Sequence, residues 1–243
     1  MPRRTAPLLG LLALAGLACG CGPTMPRTTG PPLVPTKKAE AFTHPTGIRF
    51  AVLPAGTVES RSYDIELRRP LLIGVCEVTN AQYEQFAPGR ERAKVSPGDG
   101  HPVVNVTAEE AAAFCRWLTE NDQMGRVYKL PDLAEWEYAA RGGLDNRFYP
   151  WGDDIDDTMA CYAADGAKPA GSYPPNEFGL CDVAGNAAEW VRTDDFPDHA
   201  LRGGAWCDGA DALRITSFGP LPEAGRPLDH QGFRVLCEPP PIE

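Results

Sequence analysis

The chain is poor in histidine. His44, His101, His199 and His230 are all it has, and no two stand at the spacing that sets a ligand pair on one helix face. That excludes clustered-histidine metal chemistry. The sequence also lacks a zinc-type cysteine pairing, a phosphate-cradling glycine loop, a nucleophile-elbow sequence and a repeat of fixed period. It has no basic run, and its formal net charge is -10. An acidic chain without a basic patch repels phosphate backbones, which argues against nucleic acid as a partner. The only long apolar run, Leu8 to Ala18, is far short of the roughly 20 residues that span a bilayer as a helix.

That run nevertheless carries information. Arg3 and Arg4 precede it, and small residues with Cys19 and Cys21 follow, which is the layout of an export signal. Gly16-Leu17-Ala18-Cys19 and Ala18-Cys19-Gly20-Cys21 both read as a relaxed lipoprotein cleavage box, with an ordinary secretion signal as the alternative. The expectation is a lipid anchor on Cys19 or Cys21, a membrane partner through that lipid, and a place in the bacterial cell envelope. Residues 1–21 form the signal. Residues 22–43 carry repeated prolines and almost no large apolar side chain, so they cannot build a core and read as a tether. Residues 44–238 form one domain, and 239–243 a frayed tail.

Outside the leader lie six cysteines: Cys76, Cys115, Cys161, Cys181, Cys207 and Cys237. An even number in an exported chain points to disulfides. Helix signals are local and clear. Thr107 with Glu110 makes a capping box ahead of Ala111, Phe114, Cys115 and Leu118, which recur at helical spacing. Thr79 with Gln82 repeats the pattern, and Asp132 with Glu135 opens a third helix in which Trp136, Tyr138 and Ala139 are packing residues. From 142 to 232 glycine, proline, aspartate and asparagine accumulate, so loops and short strands should dominate.

The densest segment is PPNEFGLCDVAGNAAEW, Pro174 to Trp190. Its prolines and glycines fold the backbone on itself and turn carbonyls inward. Asp182 and Glu189 can add carboxylates to main-chain carbonyls of Gly185 and Ala187, the mixed oxygen shell that calcium accepts. A polar turn pinned by Trp190 in the core is the alternative reading.

The same segment resembles the GLYDM-GN-WEW signature of the formylglycine-generating enzyme family, also called the sulfatase-modifying factor family. Four further segments agree, in the family's order: EVTNAQYEQF from Glu77; HPVVNVTAEEAAAFCRWL from His101; YKLPDLAEWEYAARGG from Tyr128 with FYPWGD from Phe148; and LRGGAWCDGADALR from Leu201 with GFRV from Gly232. Together they cover nearly all of residues 45 to 237. The resemblance implies an α+β fold, the family's loop-rich variant of the C-type-lectin-like fold. It also implies a bridge between Cys115 and Cys237, with three pairings left open among Cys76, Cys161, Cys181 and Cys207. Calcium is implied at Asp182, Gly185, Ala187 and Glu189. A second calcium site is not implied, because Cys161 stands where some relatives have asparagine.

In the family's enzymes two cysteines after RGG bind copper(I) and oxidise a substrate cysteine. Those positions fall here on Asp208 and Leu213 or, with one residue deleted, on Cys207 and Ala212. Neither pair supplies two soft thiolates, so copper is not expected. The expected function is a non-catalytic binding module for a peptide, glycan or protein partner, with Trp206, Asp208 and Arg214 lining the cleft. Within that cleft, Arg214 serves either a ligand carboxylate or an internal ion pair. The alternative function is a divergent oxidase using Cys207, and a purely structural envelope scaffold is the third. Cys207 is the one weak catalytic candidate, with a disulfide half as its other reading. Asp194, Asp195, Asp198 and His199 form an acidic group that serves either a cation or a solvated loop.

Overall fold

The computed structural model describes residues 42–61, 63–194, 198–222 and 228–238. The leader, Cys19, Cys21, nearly all of the tether and the tail lie outside the described residues. Phe42 and Thr43, assigned above to the tether, form the edge strand β1 (Phe42–Thr43) instead. The Phe42 ring stacks on Phe50 with centroids 4.8 Å apart, and the Arg126 guanidinium lies over the Phe42 ring, 4.1 Å from its centroid. Aromatic and cation contacts of this kind hold a two-residue strand that backbone pairing alone would not.

A five-stranded sheet runs in the order β1, β2 (Arg49–Leu53), β5 (Leu71–Gly74), β11 (Leu236–Glu238), β6 (Val127–Lys129), with every neighbour antiparallel. Between β2 and β5 the chain makes a hairpin of β3 (Gly56–Glu59) and β4 (Asp64–Leu67). A second sheet has the order β10 (Gln231–Gly232), β7 (Ala188–Arg192), β8 (His199–Arg202), β9 (Phe218–Gly219); its β10–β7 pair is parallel. This is the α+β, loop-rich architecture the sequence implied.

All three helices start where their capping boxes sit. In α1 (Asn80–Tyr83), α2 (Ala108–Asn121) and α3 (Leu133–Arg141) both reciprocal bonds of the box are present. Each box satisfies two donors that the first turn would leave orphaned. Ala111, Phe114, Cys115 and Leu118 of α2 are buried in a core cluster with Phe50, Tyr128, Trp190, Phe233, Val235 and Cys237. Trp136, Tyr138 and Ala139 of α3 are buried in a second cluster with Leu53, Ile73, Val191 and Leu236. The chain end shows the strand period: Phe233, Val235 and Cys237 face the first cluster, whereas Leu236 faces the second.

Cys115 and Cys237, which the resemblance joins, lie in the same buried cluster, both as free thiols. The Cys237 sulfur is turned along its own strand toward the Glu238 carbonyl at 3.7 Å, and it also contacts Tyr128.

Candidate functional site

Three loops meet behind the RGG segment, and Asn186 is where they join. Its backbone takes a left-handed conformation, φ 64°, which asparagine tolerates better than most residues. From there its amide donates to Glu77 Oε1 at 2.9 Å and accepts from the Lys168 N–H at 2.8 Å. Its own N–H donates to the Cys161 carbonyl, and its carbonyl accepts from the Trp206 N–H at 3.0 Å. Gly185, at φ 84°, must be glycine, since a Cβ there would sit 2.3 Å from the Cys161 carbonyl oxygen. Ala163 and Ala164 then donate to the carbonyls of Asp208 and Trp206, fastening the loop at 161–164 to the loop after RGG.

The positions matched to the family's thiols carry other chemistry. Asp208 accepts the Ala205 N–H at 2.9 Å and so closes a tight turn. Leu213 is fully buried at the end of a 3-10 turn, Ala210–Leu213, in a third cluster with Tyr149, Ala160 and Ala184. A Cβ on Gly204 would lie 2.8 Å from one Leu213 methyl and a Cβ on Gly185 3.0 Å from the other. Hydrocarbon fills the space. Ala212 packs against the same cluster, and Cys207 is exposed. Burial and the neighbouring Asp208 push the Cys207 thiol up, which disfavours its thiolate.

The three residues expected to line the cleft have different surroundings. Trp206 packs on the first cluster, and its buried indole N–H has no partner among the described residues. Arg214 pairs with Asp211 at 2.6 Å and lies 4.4 Å over the Phe148 ring, on which Arg61 also stacks at 3.9 Å. Its internal ion pair is therefore formed. A cavity of about 160 Å³ opens elsewhere, lined in part by Arg49, Val75, Cys76, Glu77 and Gln82.

At the calcium loop the four expected residues have unequal surroundings. Asp182, at φ 54°, is buried; one oxygen accepts the Gly171 N–H, and the other, Oδ1, has no hydrogen-bond partner among the described residues. Glu77 Oε2 is likewise buried and unpartnered. Burial, opposed in part by the Gly171 N–H and Arg234, pushes the Asp182 carboxyl up. Burial with the nearby Asp182 charge pushes Glu77 well up. An orphaned buried carboxylate oxygen is what a hard cation would satisfy, but among the described residues no three His, Cys, Asp or Glu side chains gather as a metal site. Glu189 is different, because both of its oxygens are engaged. Arg234 donates to Oε1 at 2.6 Å and to Oε2 at 2.7 Å, and the Trp136 indole donates to Oε2 at 2.6 Å. Gly185 and Ala187 stand between them on the same loop.

Sequence reasoning missed the buried arginines. Arg141, Arg202 and Arg234 are among the largest fully buried side chains. Glu137 receives Arg141 at 2.8 Å and Arg202 at 3.1 Å, along with the Ser60 hydroxyl at 2.6 Å. The one available signal was that Arg202 and Arg234 stand inside the RGG and GFR segments.

The sulfatase-modifying factor enzyme 1-like domain family matches residues 36–239. The chain is 34% identical over 173 residues to the bovine (Bos taurus) protein named inactive C-alpha-formylglycine-generating enzyme 2, covering 59% of this chain and 54% of that one. It is 38% identical over 166 residues to the formylglycine-generating enzyme of Streptomyces coelicolor, covering 62% and 47% respectively. The chain thus spans about half the length of the curated relatives it matches. Among solved structures, PvdO from Pseudomonas aeruginosa superposes with a TM-score of 0.70 at 25% identity, over 83% of this chain and 99% of that one. Treponema denticola variable protein 1 reaches 0.66 at 22% identity, over 82% and 99%, a likeness of fold. With its five motifs in order, its fold matched and the family covering residues 36–239, the chain belongs to the formylglycine-generating enzyme, or sulfatase-modifying factor, family.

Proposed function

We propose that this protein is a non-catalytic binding member of its family, exported and held at the cell envelope by a lipid on Cys19 or Cys21. The observation that carries the reading is Leu213, whose buried side chain occupies the second thiol position with packed hydrocarbon. Asp208, a hard oxygen ligand engaged in a turn, stands at the first. The bovine relative's own name includes the word inactive, which agrees with this reading. The surface after RGG would then bind a peptide, glycan or protein partner, with Arg214 on Phe148 meeting an anionic group.

Two measurements test it. Aerobic incubation of copper(I)-loaded protein with a cysteine-containing peptide should consume no oxygen above the peptide control. Formylglycine in the product would establish the oxidase alternative, which the exposure of Cys207 favours. Screening acidic glycans and peptides should yield a saturable ligand whose binding falls at least tenfold in Arg214→Ala and Trp206→Ala. Unchanged binding in both would place the site elsewhere. For the anchor, Cys19→Ser and Cys21→Ser identify the lipidated residue by loss of partitioning into detergent; retention of partitioning in the double variant overturns the anchor.

Calcium belongs to the same proposal. Asp182 would hold the ion through its unpartnered Oδ1, with the Gly185 and Ala187 carbonyls; Glu189, whose oxygens Arg234 and Trp136 already hold, would join only by giving up one of those bonds, and the ion would offset buried negative charge. Calcium over chelator should raise the melting temperature of the wild type and leave Asp182→Ala unmoved. An equal melting temperature with and without calcium in the wild type removes the ion.

A further inference from the structure

Four cysteines had no assigned partner, and their surroundings separate them. Cys161 is buried with its sulfur 3.7 Å from the Gly166 carbonyl, and Cys207 is exposed beside Asp208. Cys76 and Cys181 are a pair: both are half-buried free thiols, and each lies close enough to the other to shift its ionisation. The backbone enforces the proximity. The Cys181 N–H donates to the Val75 carbonyl at 2.8 Å. The Arg234 guanidinium bridges the same two segments, donating to the Cys181 carbonyl at 3.0 Å and the Val75 carbonyl at 3.3 Å. Two segments some hundred positions apart in sequence are thus clamped together by a fully buried arginine. Cys76 also lines the 160 Å³ cavity.

We propose that Cys76 and Cys181 form a reversible redox couple, an accessible dithiol that closes to a disulfide and staples the 174–190 loop to the end of β5. The oxidant is a disulfide, supplied by a small molecule or by an exchange partner. Cys76 Sγ attacks one reagent sulfur, forming a mixed disulfide and releasing the other reagent sulfur as a thiol, which takes the Cys76 proton. Cys181 Sγ then attacks the Cys76 sulfur, the S–S bond closes, and the second reagent sulfur leaves as a thiol with the Cys181 proton. The pair loses two electrons and the reagent disulfide gains them. Exchange of this kind needs two sulfurs that can approach to bonding distance and one that a reagent can reach, and Cys76, at the cavity wall, takes the second role in this proposal. Disulfides that a reagent can reach are the labile ones, whereas buried structural bridges resist glutathione.

The test equilibrates the purified full chain, without denaturant, across graded ratios of oxidised to reduced glutathione. Samples are quenched in acid, alkylated and mapped by peptide digestion. The expected result is one cross-linked Cys76–Cys181 peptide whose fraction follows a two-electron transition in both directions, while Cys207 reaches only a glutathione adduct. Independent glutathione adducts on Cys76 and Cys181, a cross-link to another cysteine, or a pair that neither forms nor opens without denaturant would each overturn the proposal. In Cys181→Ser, Cys76 should stop at the mixed disulfide with glutathione. A Cys76 left unmodified in that variant, when it is folded by circular dichroism, removes the route through the cavity.

Discussion

Arg234 shows what one residue can decide in this fold. It is fully buried, pairs with Glu189 through two donors, and reaches the carbonyls of Gly74, Val75 and Cys181. Removing it leaves Glu189 unpaired beside two further buried carboxylates, Glu77 and Asp182. Breaking one partner of a buried pair costs about 3–5 kcal/mol. Arg234→Met should therefore lower the unfolding free energy, extrapolated from urea titration, by an amount in that range. Arg234→Met with Glu189→Gln should recover part of the loss, because the uncompensated charge is gone. Glu137 adds a pH signature. Burial alone would raise its pKa, but the Ser60 hydroxyl and the Arg141 and Arg202 guanidinia hold it below its ordinary 4.5. A depressed carboxyl contributes stability that is fully present above its unfolded value and lost as pH falls through the folded one. Glu137→Gln should be about 3–5 kcal/mol less stable at pH 7, since it strands two buried arginines. The gap to the wild type should then narrow below about pH 4.5 as Glu137 itself protonates. Urea titrations at stepped pH check both parts, and a gap that stays constant to pH 3 would contradict the assignment.

At the scale of elements, the ends of the helices carry the fold's precision. Starts were legible because a capping box is local: Thr107 and Glu110 are three residues apart, and both bonds form. The fastener at the end of α3 was not legible, because it lies 36 and 37 residues downstream. Asn176 donates its amide to the Ala140 and Ala139 carbonyls at 3.1 and 2.8 Å, and its oxygen accepts from Phe178 and Leu180 at 3.0 and 3.1 Å. Gly142 permits this approach, since its left-handed φ of 59° turns the chain where a Cβ would lie 3.1 Å from the Asn176 amide carbon. The two prolines before Asn176 therefore introduce a clasp between α3 and the 174–190 loop as well as a turn. Four hydrogen bonds at about 0.5–1.5 kcal/mol each, partly replaced by water, predict a loss of about 2–4 kcal/mol in Asn176→Ala. Thr107→Ala, which removes one half of a solvent-facing cap, should cost only about 1 kcal/mol. Thermal unfolding of the two variants side by side gives the comparison, and an Asn176→Ala loss no larger than that of Thr107→Ala would show that the clasp is not structural.

Across the whole molecule, the sequence was most readable where the determinants were short-range. Helix starts, the run of loops after Gly142 and the packing role of Trp136 all follow from neighbours within a few positions. The charged core was hidden because charged residues read as surface, and Glu189 to Arg234 and Glu137 to Arg202 are 45 and 65 positions apart. The cysteine pairing was hidden for the same reason, since counting residues cannot rank three connectivities. Distance along the chain, which hid the Cys76–Cys181 pair, also sets what closing it should do. A bridge over about 100 residues removes enough freedom from the unfolded chain to stabilise the fold by up to about 4.7 kcal/mol if closure adds no strain. For a domain of this size each kcal/mol moves the melting temperature by about 2–4 °C. The oxidised protein should thus melt above the reduced form by up to about 10–20 °C. The difference should vanish in Cys76→Ser, which cannot close the bridge, and persist in Cys207→Ser, whose exposed thiol takes no part. Because the covalent tie acts on the unfolded chain, while Arg234 already clamps the two segments in the native state, oxidation should change stability with little change in near-UV circular dichroism. A large spectral change on oxidation, or equal melting temperatures, would mean that the two sulfurs do not close within the observed fold.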